Sequence, residues 1–221
     1  GEGAGFFRRP GDDRTIRSIW PDGFLPVIQS AVNDTSLGGG IKGKAADWNW
    51  DLSNVFGDNT LRYQTANSIN DSLGAASKTS FYSGKLIFSQ DTTNLDFTNQ
   101  VDLGLHSPLK IALGGEYRWE KYKVVAGEPD SYRDGGVRIL DGPNAGTIGG
   151  SAPGAQVFPG FKPADAGPHT RNAKSAYLDL EANLTEQWLV SVAGRFEDYS
   201  DFGNSTTAFV ASSDSMRVRR A

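Results

Sequence analysis

The chain has 221 residues, 38% of them hydrophobic, with 22 Lys and Arg against 26 Asp and Glu and a net charge of −4. At a mean hydropathy of −0.43 it contains no run of roughly 18 apolar residues, which excludes a membrane helix; a membrane barrel stays open, because only alternate residues of its strands meet lipid. The absence of cysteine excludes disulfides and thiolate metal sites, and the mild charge, with no basic stripe, points away from nucleic acid.

Residues 1–31 are rich in Gly, Pro, Arg and Asp, with Phe6, Phe7, Trp20 and Phe24 scattered among them. They read as a loop-rich lead-in with a short strand at most. Alternation begins at Asp34, with Leu37, Gly39, Ile41, Gly43 and Ala45 on one side and Ser36, Gly38, Lys42 and Lys44 on the other. A tight turn at Ala46 and Asp47 hands over to a strand spanning 48–66, in which Trp48, Trp50, Leu52 and Phe56 oppose Asn49, Asp51 and Ser53. That is longer than the roughly 9–11 residues a strand needs to cross a bilayer, so it is expected to project beyond one.

Residues 67–80 form a polar loop, after which 82–101 resume a strand with Leu95, Phe97 and Val101 opposite Asn94, Asp96 and Thr98. A short turn around 102–108 leads to a cleanly two-faced strand: Ile111, Leu113, Gly115, Tyr117 and Trp119 against Ala112, Gly114, Glu116, Arg118 and Glu120. Residues 126–172 hold no sustained period, and a loop of that length is normally functional or disordered. Next, Ala176, Leu178, Leu180, Ala182 and Leu184 alternate with Tyr177, Asp179, Glu181 and Asn183. The chain turns at 185–187 and returns through 188–199, with Val190, Val192, Gly194 and Phe196 apolar and Ser191, Ala193, Arg195, Glu197 and Tyr199 polar. Short strands at 206–211 and 216–219 bring the total to about eight.

Short connections alternate with long ones, and Trp48, Trp50 and Trp188 sit beside the short ones, as an interfacial girdle would. The expected architecture is all-β: an antiparallel transmembrane β-barrel, present over 1–221 as part of a larger barrel, with 126–172 as a long extracellular loop. A start without Met and an end at Ala221 rather than at an aromatic residue read as a segment of a longer protein.

Four segments, WPDGFLPVI (20–28), GGEYRWEKYKVVAGEPDSYRDGG (114–136), GAQVFPGFKPADAG (154–167) and GRFEDYSDFG (194–203), stand in order at plausible spacing. Together they resemble the barrel portion of TonB-dependent outer-membrane receptors. Such receptors have about 22 strands and a plugged lumen; the plug and the short box that engages TonB have no counterpart in this sequence. The resemblance implies the outer membrane of a Gram-negative bacterium. It also implies energised uptake of a scarce small-molecule ligand, such as a ferric siderophore, cobalamin or an oligosaccharide. The implied partners are outer-membrane lipid and the TonB complex, which acts through the plug; no cofactor and no bond-making chemistry belong to that scheme.

Two sets of residues are candidates for function. Glu128, Asp130, Tyr132 and Arg133 offer acceptors, a guanidinium and an aromatic face to a polar ligand, or pair with each other in a turn. Phe158 and Phe161, beside Pro159, Gly160 and Pro163, are either a loop tip closing over ligand or a small apolar cluster that keeps the loop folded. Glu116, Arg118, Glu120, Asp179, Glu181, Arg195 and Glu197 face the lumen if the parity holds. His106 and His169, next to Pro108 and Pro168, read as turn residues rather than as catalytic or metal ligands. The competing architectures are a small structural or adhesive outer-membrane barrel and a soluble carbohydrate-binding β-sandwich, whose apolar face would pack inward. An outer-membrane hydrolase lacks a recognisable Ser/His/Asp or paired-acid arrangement.

Overall fold

Two-faced runs of this length satisfy their backbone groups only by pairing with neighbours on both sides. The computed structural model, which describes residues 1–149 and 152–214, does this in one eight-stranded sheet. Its strands are β1 (Glu2–Ala4), β2 (Val27–Ala45), β3 (Trp48–Ala66), β4 (Phe81–Val101), β5 (Leu109–Val125), β6 (Gly167–Asn183), β7 (Trp188–Tyr199) and β8 (Gly203–Asp214). They lie in chain order, β1 through β8. Helical structure among the described residues is confined to short 3-10 turns at Asp71–Ala76, Pro129–Ser131 and Pro163–Asp165. Among the described residues no helix is long and apolar enough to cross a membrane, which says nothing about strands.

The β6–β7 ladder runs without interruption from Ala173↔Tyr199 to Asn183↔Leu189, and β7–β8 from Trp188↔Asp214 to Tyr199↔Gly203. This register puts Leu178 opposite Gly194, Leu180 opposite Val192 and Ala182 opposite Val190, with Val192 in turn opposite Val210. One apolar face therefore extends across three strands, and it lies open: Leu178, Val192 and Phe196 are 45%, 44% and 47% exposed. The carboxylates at the centre of the charged face are the covered ones, with the side chains of Glu116, Glu120 and Glu197 at 20%, 10% and 24%. A soluble sheet has the reverse arrangement. Beside the short β2–β3 turn, where Ala46 takes the left-handed conformation (φ 52°), the Trp50 ring lies over Gly43. A Cβ there would come within 2.8 Å of the ring, so glycine lets the indole lie flat on the neighbouring strand.

By backbone proximity the chain falls into two units. One, comprising Ser36–Gly57, Ser89–Lys121 and Thr170–Ala221, holds the short connections and the β6–β7–β8 ladder. The other, Gly1–Thr35, Asp58–Phe88 and Tyr122–His169, carries the densest packing. Its core is Ile16, Phe24 and Ile69, with Ile19 and Trp20 packed against it. Around that core Thr15, Thr65, Ser68, Asn70, Ser83 and Ser131 are fully buried. Each of these hydroxyls and amides has a job. Thr65 Oγ1 donates to Phe158 O at 2.8 Å, Ser68 Oγ to Gln156 O at 3.0 Å and Ser131 Oγ to Glu128 O at 2.6 Å.

Asn70 uses its whole amide. Nδ2 donates to the carbonyls of Asp130 and Arg133, both at 2.9 Å, while Oδ1 accepts from Ser72 Oγ at 2.6 Å and from the Gly154 amide at 3.2 Å. Two donors and two acceptors exhaust what the side chain offers. Two stretches of the long connection, 130–133 and 154, are thereby tied to the 67–80 connection at one residue.

The structure corrects several sequence expectations. Residues 1–31 are no mere lead-in: they supply β1, the first residues of β2 and most of the apolar core. Residues 27–33 lack alternation because the ladder, not burial, holds them. The long loop ends at 166 rather than 172, since β6 begins at Gly167, and His169 is a strand residue rather than a turn residue. Nor is the loop a simple surface excursion, for Ser131, Ile139, Gly154, Ala155, Gln156 and Gly160 are buried. β8 is longer at both ends than 206–211. The strand expected at 216–219 lies outside the described residues, and β1 makes up the count of eight.

Asn70→Ala removes the partner of two part-buried carbonyls and of the buried Gly154 amide N–H, and a buried group left unmet costs about 1–3 kcal/mol. The expected outcome is early proteolytic nicking within 126–166 while the β6–β7 amides stay protected from hydrogen exchange. Equal loop protection in the variant would show that the amide is not the clasp.

Candidate functional site

The charged tip of the long loop is built on clamped backbone. Glu128 N–H donates to Tyr82 O at 2.9 Å, Pro129 O accepts from the amides of Tyr132 and Arg133, and Ser131 O accepts from those of Ala155 and Gly160, both at 3.0 Å. A Cβ at Gly160 would collide with the Ser131 side chain, so this close approach requires glycine. The side chains then pair. Lys78 Nζ lies 3.0 Å from Glu128 Oε2 and 3.7 Å from Asp130 Oδ2, and Arg133 Nε lies 2.7 Å from Asp130 Oδ1. The Glu128 hydrogen bond holds the Lys78 ammonium above the usual lysine value. Its contribution is therefore fully present below the unfolded value and lost only as pH rises through the raised one. Tyr132 is half-buried at the C-terminal end of the 3-10 turn.

Phe158 and Phe161 pack edge to face, with ring centroids 5.7 Å apart, and both meet Tyr63 of β3, at 5.1 and 6.1 Å. The two rings are half-buried, and their backbone is fixed too, with Phe161 N–H on Ser83 O at 3.0 Å. The six candidate loop residues thus fall into two groups: a charged and phenolic tip at 128–133, and the pair Phe158 and Phe161, which with Tyr63 fastens the segment after 154 to the strands.

The charged face carries the second set. Arg195 reaches Glu197 Oε1 at 3.0 Å and Glu116 Oε1 at 3.5 Å; Arg118 lies between Glu116 and Glu120, at 4.0 and 3.9 Å; Glu120 also pairs with Arg171, which extends to Asp201 at 3.9 Å. Tyr199 donates to Glu197 at 3.2 Å. Five of the seven residues expected on this face are therefore links of one ionic chain. The other two lie apart: Glu181 pairs with Lys110 at 2.8 Å, and with Asp179 it lines a polar recess of about 560 Å³ beside Lys44 and Asn49.

Sequence reasoning missed Arg171, Tyr177 with its 2.7 Å hydrogen bond to Asp96, and Lys110. Arg171 has the parity of Tyr177 and Asp179, and carrying the alternation back through the small Ala173 and Ser175 would have found it. Chemically, the face offers paired charges and hydrogen-bonding groups to an aqueous neighbour.

Glu120 is the most buried carboxylate of the chain of ion pairs, with Arg171 as its nearest partner. Glu120→Gln and Arg171→Gln are expected to be non-additive, with a coupling of about 0.5–3 kcal/mol, read from the temperature at which heat-modifiable gel migration is lost. Strict additivity would make the contact energetically silent.

A search of curated proteins returned no match. The sequence model of the family described as TonB dependent receptor-like, beta-barrel, matches residues 2–218, which takes in every strand of the described sheet. With its one antiparallel sheet, open apolar face and alternating connections, the chain belongs to the β-barrel family of TonB-dependent receptors, outer-membrane transporters of Gram-negative bacteria rather than enzymes.

Proposed function

We propose that this chain supplies part of the wall and outer mouth of a receptor for TonB-energised uptake of a scarce ligand: a ferric siderophore, cobalamin or an oligosaccharide. The observation that carries the reading is the exposure of the two faces: Leu178, Val192 and Phe196 of β6 and β7 lie open, while carboxylates of the other face, Glu197 on β7 and Glu116 and Glu120 on β5, are largely covered. Lipid is the medium that suits such a face. A soluble carbohydrate-binding sandwich would bury it, and a complete small barrel would pair β1 with β8, which stand at opposite edges of the described sheet.

In this reading Glu116, Arg118, Glu120, Asp179, Glu181, Arg195 and Glu197 line the lumen. The mutual pairing of Glu116, Arg118, Glu120, Arg195 and Glu197 suits a wall that holds water and the plug rather than one that grips substrate. The long connections 67–80 and 126–166 lie outside the cell, where barrels of this kind carry their longer loops. Capture falls to the tip of the second loop, Glu128, Asp130, Tyr132 and Arg133, with Phe158 and Phe161 fixing its base. The TonB complex acts through a plug elsewhere in the receptor.

Two outcomes test this. Val192→Arg in the intact receptor should lower barrel stability by about 2–4 kcal/mol if the residue lies near the bilayer midplane, with Ala193→Arg, one residue along and on the other face, much milder. Equal penalties would end the lipid-facing assignment. For capture, a panel of labelled ferric siderophores, cobalamin and maltooligosaccharides is presented to cells carrying the intact receptor as their only route. Uptake of one of them should collapse with a protonophore, and Tyr132→Ala with Arg133→Ala should weaken its binding about tenfold while heat-modifiable migration persists. Unchanged affinity would remove the tip from the binding surface.

A further inference from the structure

The lead-in and the long loop enclose a second concavity, a recess of about 350 Å³ lined by Arg8, Arg14, Gly154, Gln156, Val157 and Pro159. Two guanidiniums stand in it, and they are not equivalent. Arg14 is neutralised locally: its Nε and Nη2 grip Asp12 at 3.0 and 3.1 Å, and its amide adds a third bond to the same carboxylate at 2.9 Å. Asp12 is thereby committed, and its carboxyl is held below the usual range, chiefly by the Arg14 hydrogen bond.

Arg8 has no carboxylate within ion-pair distance among the described residues, yet it is held more tightly than a surface cation. Its backbone exchanges both hydrogen bonds with Phe24, at 2.8 and 3.0 Å. Its Nε donates to Gln156 Oε1 at 3.2 Å and its Nη1 to Phe6 O at 3.4 Å. Gln156 is itself only 7% exposed and is pinned at three points: Nε2 to Asp71 Oδ1, its amide to Ile69 O, and its carbonyl to Ser68 Oγ, each at 3.0 Å. Burial and the neighbouring Arg14 charge both act against the Arg8 cation, with Asp12 and Asp71 only partly offsetting them through space.

A guanidinium oriented by two neutral oxygens, with no carboxylate at ion-pair distance among the described residues, has used two of its five N–H donors and can offer others to a planar oxyanion. We infer that the Arg8 recess binds a carboxylate group of the transported ligand, so that this receptor selects an anionic ligand over a neutral sugar. The volume is at the lower end for ligand sites, which suits one anionic arm of a larger molecule. The inference rests on the receptor reading and deepens it.

The test uses the purified intact receptor and three probes: tricarballylate, a tricarboxylate; inorganic phosphate; and neutral maltotriose. Calorimetry should show saturable tricarballylate binding that weakens with salt, weaker phosphate binding and no maltotriose binding. Arg8→Gln should weaken tricarballylate at least tenfold, Arg8→Lys less, and Asp12→Asn should tighten it by releasing Arg14. Arg17→Gln, on an exposed cation paired with Asp141, should leave it unchanged. Heat-modifiable migration checks folding; should Arg8→Gln fail to fold, Arg8→Lys and Asp12→Asn decide, and native affinity in both overturns the proposal. It is equally overturned by absent tricarballylate binding, by a preference for phosphate or by undiminished affinity in a folded Arg8→Gln. Because binding is read without TonB, the two readings fail separately. Missing tricarballylate binding in a receptor whose uptake is protonophore-sensitive rejects the recess alone. Tricarballylate binding in a receptor indifferent to protonophore rejects energised uptake alone.

Discussion

Every strand in this chain answers to one constraint: in hydrocarbon a backbone N–H or C=O has no water to fall back on, so each must be paired with a neighbouring strand. The unbroken registers of β6 with β7 and β7 with β8 follow from it. With the backbone satisfied laterally, side chains are free to serve two media, and period-two alternation sends Leu178, Leu180, Val190 and Val192 to one and Tyr177, Arg195 and Glu197 to the other. The lack of a conventional core beneath the β6–β7 sheet is the consequence, since lipid does for the apolar face what a second layer does in a soluble protein.

Where the strands leave that medium the rules change, and the packing changes with them. The buried residues gather in the unit that holds the long connections: Ile16, Phe24 and Ile69 form the apolar centre, and Thr65, Ser68, Asn70, Ser83 and Ser131 form a layer of small polar side chains around it. Small polar residues suit this place because loops carry backbone groups that no ladder satisfies, and each hydroxyl or amide can reach a stray carbonyl or N–H. The buried contacts of 131, 139, 154–156 and 160 are made for this reason, and residues 128–133 are presented from a hydrogen-bonded base.

The strands were legible because alternation is a local signal. β3 and β7 match their sequence-read limits, and β4 and β5 differ by a residue or less at their starts. The misses share a cause. Residues 27–33 and 167–170 are strand residues without alternation, so nothing in their side chains reports the ladder, and at Arg171 the parity is hidden behind the small Ala173 and Ser175. The six loop candidates were legible as residue types, but their grouping was not: that Lys78 would bridge Glu128 and Asp130, or that Tyr63 would receive both phenylalanines, depends on contacts across 50 to 98 positions of sequence. Asn70 and Arg8 were invisible for the same reason, since neither is unusual in its own stretch and each matters through partners far along the chain.

The two charged regions differ in a way that bears on what each can do. On the β5–β7 face each of the three arginines touches two carboxylates and passes the interaction on, so the charges are spent on one another and a passing anion gains little by competing. In the recess, the hydrogen bonds of Asp12 go to Arg14, and Arg8 is steadied by the neutral oxygens of Gln156 and Phe6. Neutral acceptors orient a guanidinium without cancelling its charge. The charges of the β5–β7 face are thus closed on one another, whereas the recess keeps an oriented guanidinium with no carboxylate at ion-pair distance among the described residues.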